Sequence, residues 1–312
     1  MTLNNNETAT RQSVEFTNKG VVIRAWHYAP VSSALTTAAG APAVVMGHGL
    51  AATKDCGLDI YASKFAEVGM HVLVFDYRGW GESDGQPRDV VLVEEQLSDY
   101  HAAVAHARNI NGVDPSRIAL WGTSFSGGHV ITCAAQDGKI AAVVSQAPNI
   151  DNLATARFLA TRVPMGRMLR LGVSLSRDLF HDVFGFKPIV VPIMGRSGEF
   201  AAYVSDEGWD DFEQIRGATW NNRLALRGFA RLPIWRPVTY VDQLPCRIQF
   251  HACMLDDLTP AAPTLRAAER LGERAELLGY DTGHFGIYVG DALQRALQSQ
   301  TAFLTTELAT TK

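Results

Sequence analysis

The sequence lacks the features of membrane-spanning, secreted and nucleic-acid-binding proteins. None of its 312 residues belongs to an uncharged apolar run long enough to span a bilayer, and the first twelve contain no apolar segment of a secretion signal. Lys and Arg total 28 against 32 Asp and Glu, without a long run of either sign. This balance disfavours nucleic acid and anionic membranes as partners. We therefore expect a cytoplasmic protein.

The sequence is also poor in cysteine. Its four cysteines, Cys56, Cys133, Cys246 and Cys253, show no close paired spacing such as C-x-x-C. This excludes a disulfide framework, and we interpret them as buried free thiols. Histidine and cysteine do not occur at the close spacing of metal ligands. We therefore expect neither a metal nor another cofactor.

Continuous apolar strands alternate with helical segments along most of the chain, and 47% of the residues are hydrophobic. This pattern predicts an α/β fold with a mainly parallel sheet covered by helices on both faces. Residues 1–12 are expected to be disordered. The alternation is interrupted once, so we expect a core of residues 13–148 and 243–312 and an insertion of residues 149–242, too long for a plain connection.

One serine stands between an apolar strand and a buried helix. The strand covers 117–121 and the helix follows at 129–135. Gly122 and Ser126 are small enough to let strand and helix approach closely, which leaves room for a strained backbone that pushes the Ser124 hydroxyl outward. The sequence therefore predicts a nucleophile elbow at Ser124.

A second serine matches the Gly-x-Ser-x-Gly pattern letter for letter. Ser83 lies in 81–85, but the preceding strand ends well before Gly81, and Pro87 follows where a helix would have to begin. Glycine and proline indicate a loop at this point. Ser124 is preferred because the elbow requires strand, turn and helix in direct succession.

A serine nucleophile needs a base, and the base needs an acid that fixes its tautomer. Ligands of such sheets gather beyond the carboxyl ends of the strands. His284 follows a strand that ends near Tyr280, and Asp256 follows one that ends near Cys253. The order Ser, Asp, His is typical of an elbow serine, so Ser124, Asp256 and His284 are predicted as catalytic residues, with Asp257 as the alternate acid.

Acyl transfer also needs donors for the developing oxyanion. The amide of Phe125, directly after the nucleophile, is the first predicted donor. The second is expected from the loop after strand 43–46, where we choose the amide of Leu50 and assign His48 to substrate binding.

Five short motifs together resemble the α/β-hydrolase superfamily. They are GHGL at 47–50, DYRGWGESDG at 76–85, GTSFSGG at 122–128, DDLTP at 256–260 and GHFGIYVG at 283–290. The chain looks most like the bacterial branch related to dienelactone hydrolases, polyketide thioesterase-like proteins and serine aminopeptidases. The resemblance implies an eight-stranded sheet, a helical cap in the insertion, and the roles given above for Ser124, Asp256, His284, Leu50 and Phe125. Dienelactone hydrolases carry cysteine where this chain has Ser124, which argues against that activity, and Ser126 replaces the common glycine of the elbow.

A nucleotide-binding interpretation competes with the hydrolase one. Residues 47–52 fit G-x-G-x-x-A after a strand, and Asp76 ends the next strand where a ribose-binding acid would lie. Residues 53–57, however, delay the next helix, so its N-terminus would not reach a pyrophosphate. A catalytically inactive hydrolase fold that serves as a binding module is the third interpretation.

We expect a serine esterase that acts on a small to medium, partly apolar carboxylic ester through an acyl-enzyme. A thioesterase, an acyltransferase on a polyketide-like or other acyl thioester, and a peptidase or amidase remain the alternatives. The expected partner is a small-molecule acyl substrate, and a homodimer stays open. Large apolar residues of the insertion either line an acyl pocket or pack the cap: Phe158, Met165, Met168, Phe180, Phe184, Trp209, Phe212, Trp220 and Trp235. Its arginines either bind a substrate carboxylate or face solvent: Arg157, Arg162, Arg167 and Arg170.

Overall fold

A computed structural model describes residues 9–309. The strands are β1 Arg11–Asn18, β2 Val21–Tyr28, β3 Ala41–Gly47, β4 His71–Phe75, β5 Val113–Thr123, β6 Ala142–Gln146, β7 Val190–Val191, β8 Met194–Gly195, β9 Tyr203–Val204, β10 Leu224–Ala225, β11 Arg247–Cys253 and β12 Ala275–Tyr280. The α-helices are α1 Leu58–Glu67, α2 Val93–Arg108, α3 Phe125–Asp137, α4 Asn152–Ala160, α5 Met165–Val183, α6 Asp206–Glu213, α7 Ala262–Leu271 and α8 Gly290–Glu307.

The first strand begins before the predicted boundary at residue 12. Residues 1–8 of the expected disordered terminus lie outside the described residues, but β1 already begins at Arg11 and pairs with β2 along its whole length. Disorder through residue 12 is therefore wrong for residues 11 and 12, because the hairpin partner supplies backbone hydrogen bonds that a polar sequence does not reveal.

Eight strands form one sheet in the order β1-β2-β4-β3-β5-β6-β11-β12. The pairs from β4 to β12 are parallel, whereas β1 with β2 and β2 with β4 are antiparallel. All residues of β3, β4 and β6 are buried, as expected for strands covered on both faces. The predicted α/β class and the eight-stranded sheet are confirmed.

Helices pack against this sheet and against β5, the strand that precedes Ser124. α2 and α3 both contact β5. The buried indole of Trp121 in β5 donates a hydrogen bond of 2.8 Å to Oε1 of Gln300 in α8. Because an unpartnered buried polar group is costly, this bond anchors the end of β5 directly before the elbow.

The parallel strands bring separate loops to one edge of the sheet. β3 and β5 are neighbours in register, with Gly47 opposite Gly122. β6, β11 and β12 follow in order on the other side of β5. The loops that contain Leu50, Ser124, Asp256 and His284 therefore leave the sheet at adjacent carboxyl ends, although Leu50 and His284 are 234 positions apart.

The segment between β6 and β11 adds no strand to this sheet. It contains α4, α5 and α6, four two-residue strands and the 3-10 segments Leu226–Ile234 and Pro237–Gln243. α5 packs against Leu226–Ile234, where Arg227 Nη2 lies 2.8 Å from Oδ1 of the buried Asp178. We keep residues 149–242 as the proposed cap and call them the cap segment.

Two further expectations concern cysteines and membranes. Cys56, Cys133 and Cys253 are buried free thiols, and Cys246 is half-buried. Within residues 9–309, no helix combines the length and the apolar character needed to cross a bilayer.

Candidate active site

Ser124 occupies the sharp turn between β5 and α3. Its backbone has φ 55° and ψ −117°, a region that non-glycine residues rarely adopt and that costs of the order of 1–3 kcal/mol. The turn is held by the Ser124 amide, which donates to Gln146 O at 2.8 Å, and by its carbonyl, which accepts from Gly127 N at 3.0 Å and Asn149 N at 2.9 Å. The strand, turn and helix predicted around Ser124 are all present.

Glycine at position 122 is required by the closeness of strand and helix. A Cβ added to Gly122 would lie 2.1 Å from the carbonyl oxygen of Ser126. Gly49 has a similar role on the neighbouring loop, since its Cβ would lie 3.1 Å from Cβ of Ser124. Both glycines allow backbone to approach the nucleophile more closely than any other residue would.

His284 bridges the serine and an aspartate. Its Nε2 lies 2.9 Å from Ser124 Oγ, and its Nδ1 lies 2.6 Å from Oδ2 of Asp256. An ionised carboxylate only accepts hydrogen bonds, so Nδ1 carries the ring proton and donates it to Asp256. Nε2 is then free to accept the proton of the serine hydroxyl. The ring is 4% exposed, which shields this hydrogen-bonded chain from water.

Local hydrogen bonds fix the orientation of the Asp256 carboxylate. Oδ1 accepts from the amides of Leu258 and Thr259 at 2.8 and 2.7 Å, and Oδ2 accepts from the Thr259 hydroxyl at 2.8 Å. Asp257, the predicted alternate acid, is exposed, and its Oδ1 accepts from the Tyr203 hydroxyl. The structure thus brings Ser124, Asp256 and His284 together and directs Asp257 elsewhere.

The loop after β3 runs directly beside the nucleophile. Leu50 and Phe125 both line the cavity at Ser124. Phe125 is the first residue of α3, where amides have no partner within the helix. Among the hydrogen bonds of residues 9–309, none is donated by the Leu50 amide. Both amides are therefore available as donors beside Ser124.

The prediction that His48 binds substrate is wrong. Its side chain is 1% exposed and does not line the cavity. Nε2 accepts from the Tyr77 amide at 3.4 Å, so Nδ1 carries the proton that is donated to Gly49 O at 2.9 Å. Burial lowers the pKa of His48, and the ring stays neutral. The carbonyl of Gly49 and the amide of Leu50 belong to one planar peptide and point in opposite directions, so His48 orients the Leu50 amide.

The two alternatives to the Ser124 site do not fit the geometry. Ser83 is buried, accepts from the Arg24 amide and donates to Asp76 O at 2.7 Å, so its hydroxyl is part of the loop structure. Asp76, the proposed ribose-binding acid, is fully buried and accepts from Lys54 Nζ at 2.7 Å and from the Glu82 amide at 2.9 Å. Neither side chain is free to bind a nucleotide or attack a substrate.

An apolar cavity of about 260 Å³ opens at Ser124. Its walls come from the core loops and from the cap segment, and among the large apolar residues predicted for this role only Phe212 and Trp220 belong to them. Met165, Phe180 and Phe184 are exposed instead. Several other large apolar residues of the cap segment line the wall and were not predicted: Leu159, Ile193, Met194, Ile215, Leu224, Phe229 and Leu232.

The arginines proposed for a substrate carboxylate do not line this cavity. Arg157, Arg162 and Arg170 are exposed, and Arg167 is half-buried. The guanidinium of Arg162 lies 3.7 Å from the ring centre of Phe158, and that of Arg170 lies 4.1 Å from the ring centre of Phe200. These contacts support the solvent-facing interpretation.

Comparison with known proteins agrees with this architecture. Residues 40–180 match the family model of serine aminopeptidase, S33. The chain is 34% identical to the quorum-quenching protein AidA of Acinetobacter baumannii over 302 residues, with 96% of each chain covered. It is 30% identical to the thiohydrolase aneE of Aspergillus aculeatus, covering 97% of this chain and 96% of that protein. The crystal structure of the α/β hydrolase GrgF from Penicillium superposes with a TM-score of 0.77 at 26% identity, covering 96% of this chain and 99% of that one.

Proposed function

The chain belongs to the α/β-hydrolase superfamily, and we propose that it cleaves a carboxylic ester through an acyl-enzyme formed at Ser124. The observation that carries this proposal is the bridge of His284, 2.9 Å from Ser124 Oγ and 2.6 Å from Asp256 Oδ2. Both distances allow direct proton transfer or a charge-assisted hydrogen bond. The strained backbone at Ser124 supports the same role.

In the proposed reaction, His284 Nε2 takes the proton of Ser124 as Oγ attacks the substrate carbonyl carbon. The carbonyl π electrons move to oxygen, and the oxyanion is bound by the amides of Leu50 and Phe125. Asp256 stabilises the imidazolium. His284 then gives its proton to the leaving alcohol, which departs as the acyl-enzyme forms. Water, deprotonated by His284, repeats the attack and releases the acid and free Ser124.

The cavity supports an apolar acyl group. Its cap wall contains Leu159, Phe229 and Leu232. Among the residues that the structure describes, no Asp, Glu, Lys or Arg lines the cavity, and in the proposed reaction a positive charge forms there only when His284 takes a proton. A buried charge on the substrate would lose its hydration without a partner here. We therefore propose uncharged, partly apolar acyl groups as the part of the substrate held next to Ser124.

Thioesters are the second candidate substrates. This possibility is favoured by the relatives named thiohydrolase and polyketide transferase, one of which is 30% identical over nearly the whole chain. The chemistry at Ser124 is the same up to the acyl-enzyme, and only the leaving group and the second acceptor differ. The proposed first half-reaction therefore covers the ester, the thioester and the transfer alternatives.

A fluorophosphonate probe followed by peptide mass spectrometry tests the nucleophile. We expect labelling at Ser124 that disappears in Ser124→Ala, while Ser83→Ala remains labelled. Labelling that persists in Ser124→Ala would overturn the proposal. Matched pairs of an ester and a thioester with the same acyl group then distinguish the leaving groups. Turnover of the thioester alone would replace the esterase proposal with the second candidate.

A further inference from the structure

Ser126 links the nucleophile elbow to the loop that carries the Leu50 amide. We call residues 47–50 the oxyanion loop. Ser126 is fully buried in the first turn of α3, and its Oγ donates to the carbonyl of His48 at 2.5 Å. The common residue at this position of the elbow is glycine, which has no side chain to form such a bond.

Tyr77 completes this connection. Its hydroxyl lies 2.6 Å from Ser126 Oγ. A backbone carbonyl only accepts, so the single Ser126 proton is used on His48 O, and Tyr77 must donate to Ser126. Burial raises the pKa of Tyr77 well above its ordinary value, and its hydroxyl therefore keeps this proton. The chain of donors runs in one direction, from Tyr77 through Ser126 to the oxyanion loop.

The packing around the two hydroxyls leaves the loop little freedom. A Cβ added to Gly47 would lie 2.6 Å from the Tyr77 hydroxyl and 3.1 Å from Ser126 Oγ. At the other end of the loop, Gly49 passes close to Ser124. The oxyanion loop is thus fixed by the hydrogen bond to His48 O. On either side of His48, Gly47 and Gly49 let the loop pack closely against neighbouring residues.

We propose that Ser126 and Tyr77 are positioning residues for the oxyanion donor at Leu50. The inference rests on the proposed acyl transfer at Ser124. Ser126 binds the carbonyl of His48, and the His48 ring binds the carbonyl of Gly49. These two hydrogen bonds fix both peptides before Leu50, so they fix the direction in which the Leu50 amide points relative to Ser124. Donors that are fixed before reaction stabilise an oxyanion without reorganisation, and a loose donor loses part of that effect.

The proposal makes a distinctive kinetic prediction. Ser126→Ala should lower kcat about 10- to 100-fold with KM nearly unchanged, less than the hundred- to thousandfold cost of deleting a donor. Ser126→Gly, which restores the common elbow pattern, should also lower kcat. Tyr77→Phe should cost less, because Ser126 can still donate to His48 O. The double variant should match Ser126→Ala, since both changes break one chain.

A trifluoromethyl ketone separates positioning from general structural damage. This inhibitor forms a tetrahedral adduct with the serine, and its inhibition constant should rise by the same factor by which kcat/KM falls. Ser145→Ala is the matched control, because Ser145 is equally buried and donates at 2.8 Å to Gly127 O, outside the oxyanion loop. It should leave kcat and the inhibition constant within about twofold of the wild type.

The outcomes distinguish this inference from the proposed function. A wild-type enzyme labelled at Ser124 together with unchanged kcat in Ser126→Ala would overturn the positioning role alone. Additive losses in the double variant, or an equal loss in Ser145→Ala, would do the same. Absence of labelling and turnover in the wild type would overturn the proposed function and this inference with it.

Discussion

The hydroxyl of Tyr203 donates a hydrogen bond of 2.6 Å to Oδ1 of Asp257. Tyr203 belongs to the cap segment and lines the cavity, whereas Asp257 follows β11 in the core. Burial raises the pKa of Tyr203, so it remains a donor. Two adjacent aspartates therefore have separate tasks: Asp256 contacts His284, and Asp257 joins the cap segment to the loop that carries the acid.

Exchange of each aspartate for asparagine should separate these tasks. Asp256→Asn should lower kcat by about 10³- to 10⁴-fold, because an amide favours the wrong histidine tautomer and cannot stabilise the imidazolium. Asp257→Asn keeps an oxygen acceptor for Tyr203 and should change kcat less than about fivefold. Steady-state kinetics with matched thermal melting curves measure both effects. A larger loss in Asp257→Asn would transfer the acid role to Asp257.

Gly49→Ala should weaken catalysis more than stability. The added methyl would lie 3.1 Å from Ser124 Cβ, so the loop or the serine must shift. A displacement of this kind at the reacting atoms should lower kcat at least tenfold. The control is Gly166→Ala in α5, where a Cβ meets no atom within 4 Å and alanine favours the helix by about 0.5–1 kcal/mol. Wild-type kcat in Gly49→Ala would show that the oxyanion loop tolerates the shift.

Much of this site follows from the order of strands and loops along the sequence. Ser124, Asp256 and His284 each come after an apolar strand, and parallel strands gather such loops at one edge. The tasks of His48, Ser126 and Asp257 do not follow, because each side chain also contacts an atom from a distant segment of the chain: the Tyr77 amide, the His48 carbonyl and the Tyr203 hydroxyl. The sequence around His48 and Ser126 is the same whether these side chains face a substrate or a neighbouring peptide, and only tertiary packing decides between the two directions.

The cap segment shows the same limit on a larger scale. Phe212 and Trp220 line the cavity. Phe180 in α5 and Phe184 directly after it are aromatic as well, yet both are exposed. Its strands have two residues each, too short for a period to appear in the sequence. Large apolar side chains predict burial somewhere in the fold. Which of them line a cavity depends on how the short, irregular elements of the cap segment pack against one another.

Removal of the proposed base should abolish most of the activity. His284 Nε2 lies 2.9 Å from Ser124 Oγ and takes its proton in the proposed reaction, so His284→Ala should remove most of the rate. Burial lowers the pKa of His48 and keeps its ring neutral, so His48→Gln, which affects only the direction of the Leu50 amide, should lower kcat much less. Steady-state kinetics of the two variants measure the difference. A larger loss in His48→Gln would transfer the role of the base to His48.

Buried histidines should also make the fold sensitive to acid. Burial lowers the pKa of His27 and His129 to about 4 and that of His251 to about 3, and for His27 the neighbouring His71 lowers it further. An unfolded chain protonates these rings near pH 6.5, whereas the native state does not. Their contribution to stability is therefore complete above about pH 6.5 and is lost as the pH falls toward about 4.

His129→Phe tests this linkage at one site. The ring is fully buried against Phe125 and Trp235, and its Nε2 has no hydrogen-bond partner in the described part of the chain, so an aromatic ring of similar shape fits the site. Between about pH 4.5 and 6, each such histidine adds about 1.0–1.4 kcal/mol per pH unit to the slope of the unfolding free energy. Urea unfolding of His129→Phe should show a slope smaller by that amount, while above pH 7 the slopes of variant and wild type should coincide because the ring is neutral in both states. Equal slopes below pH 6 would mean that His129 is protonated in the native protein, and burial would then not be what governs its charge.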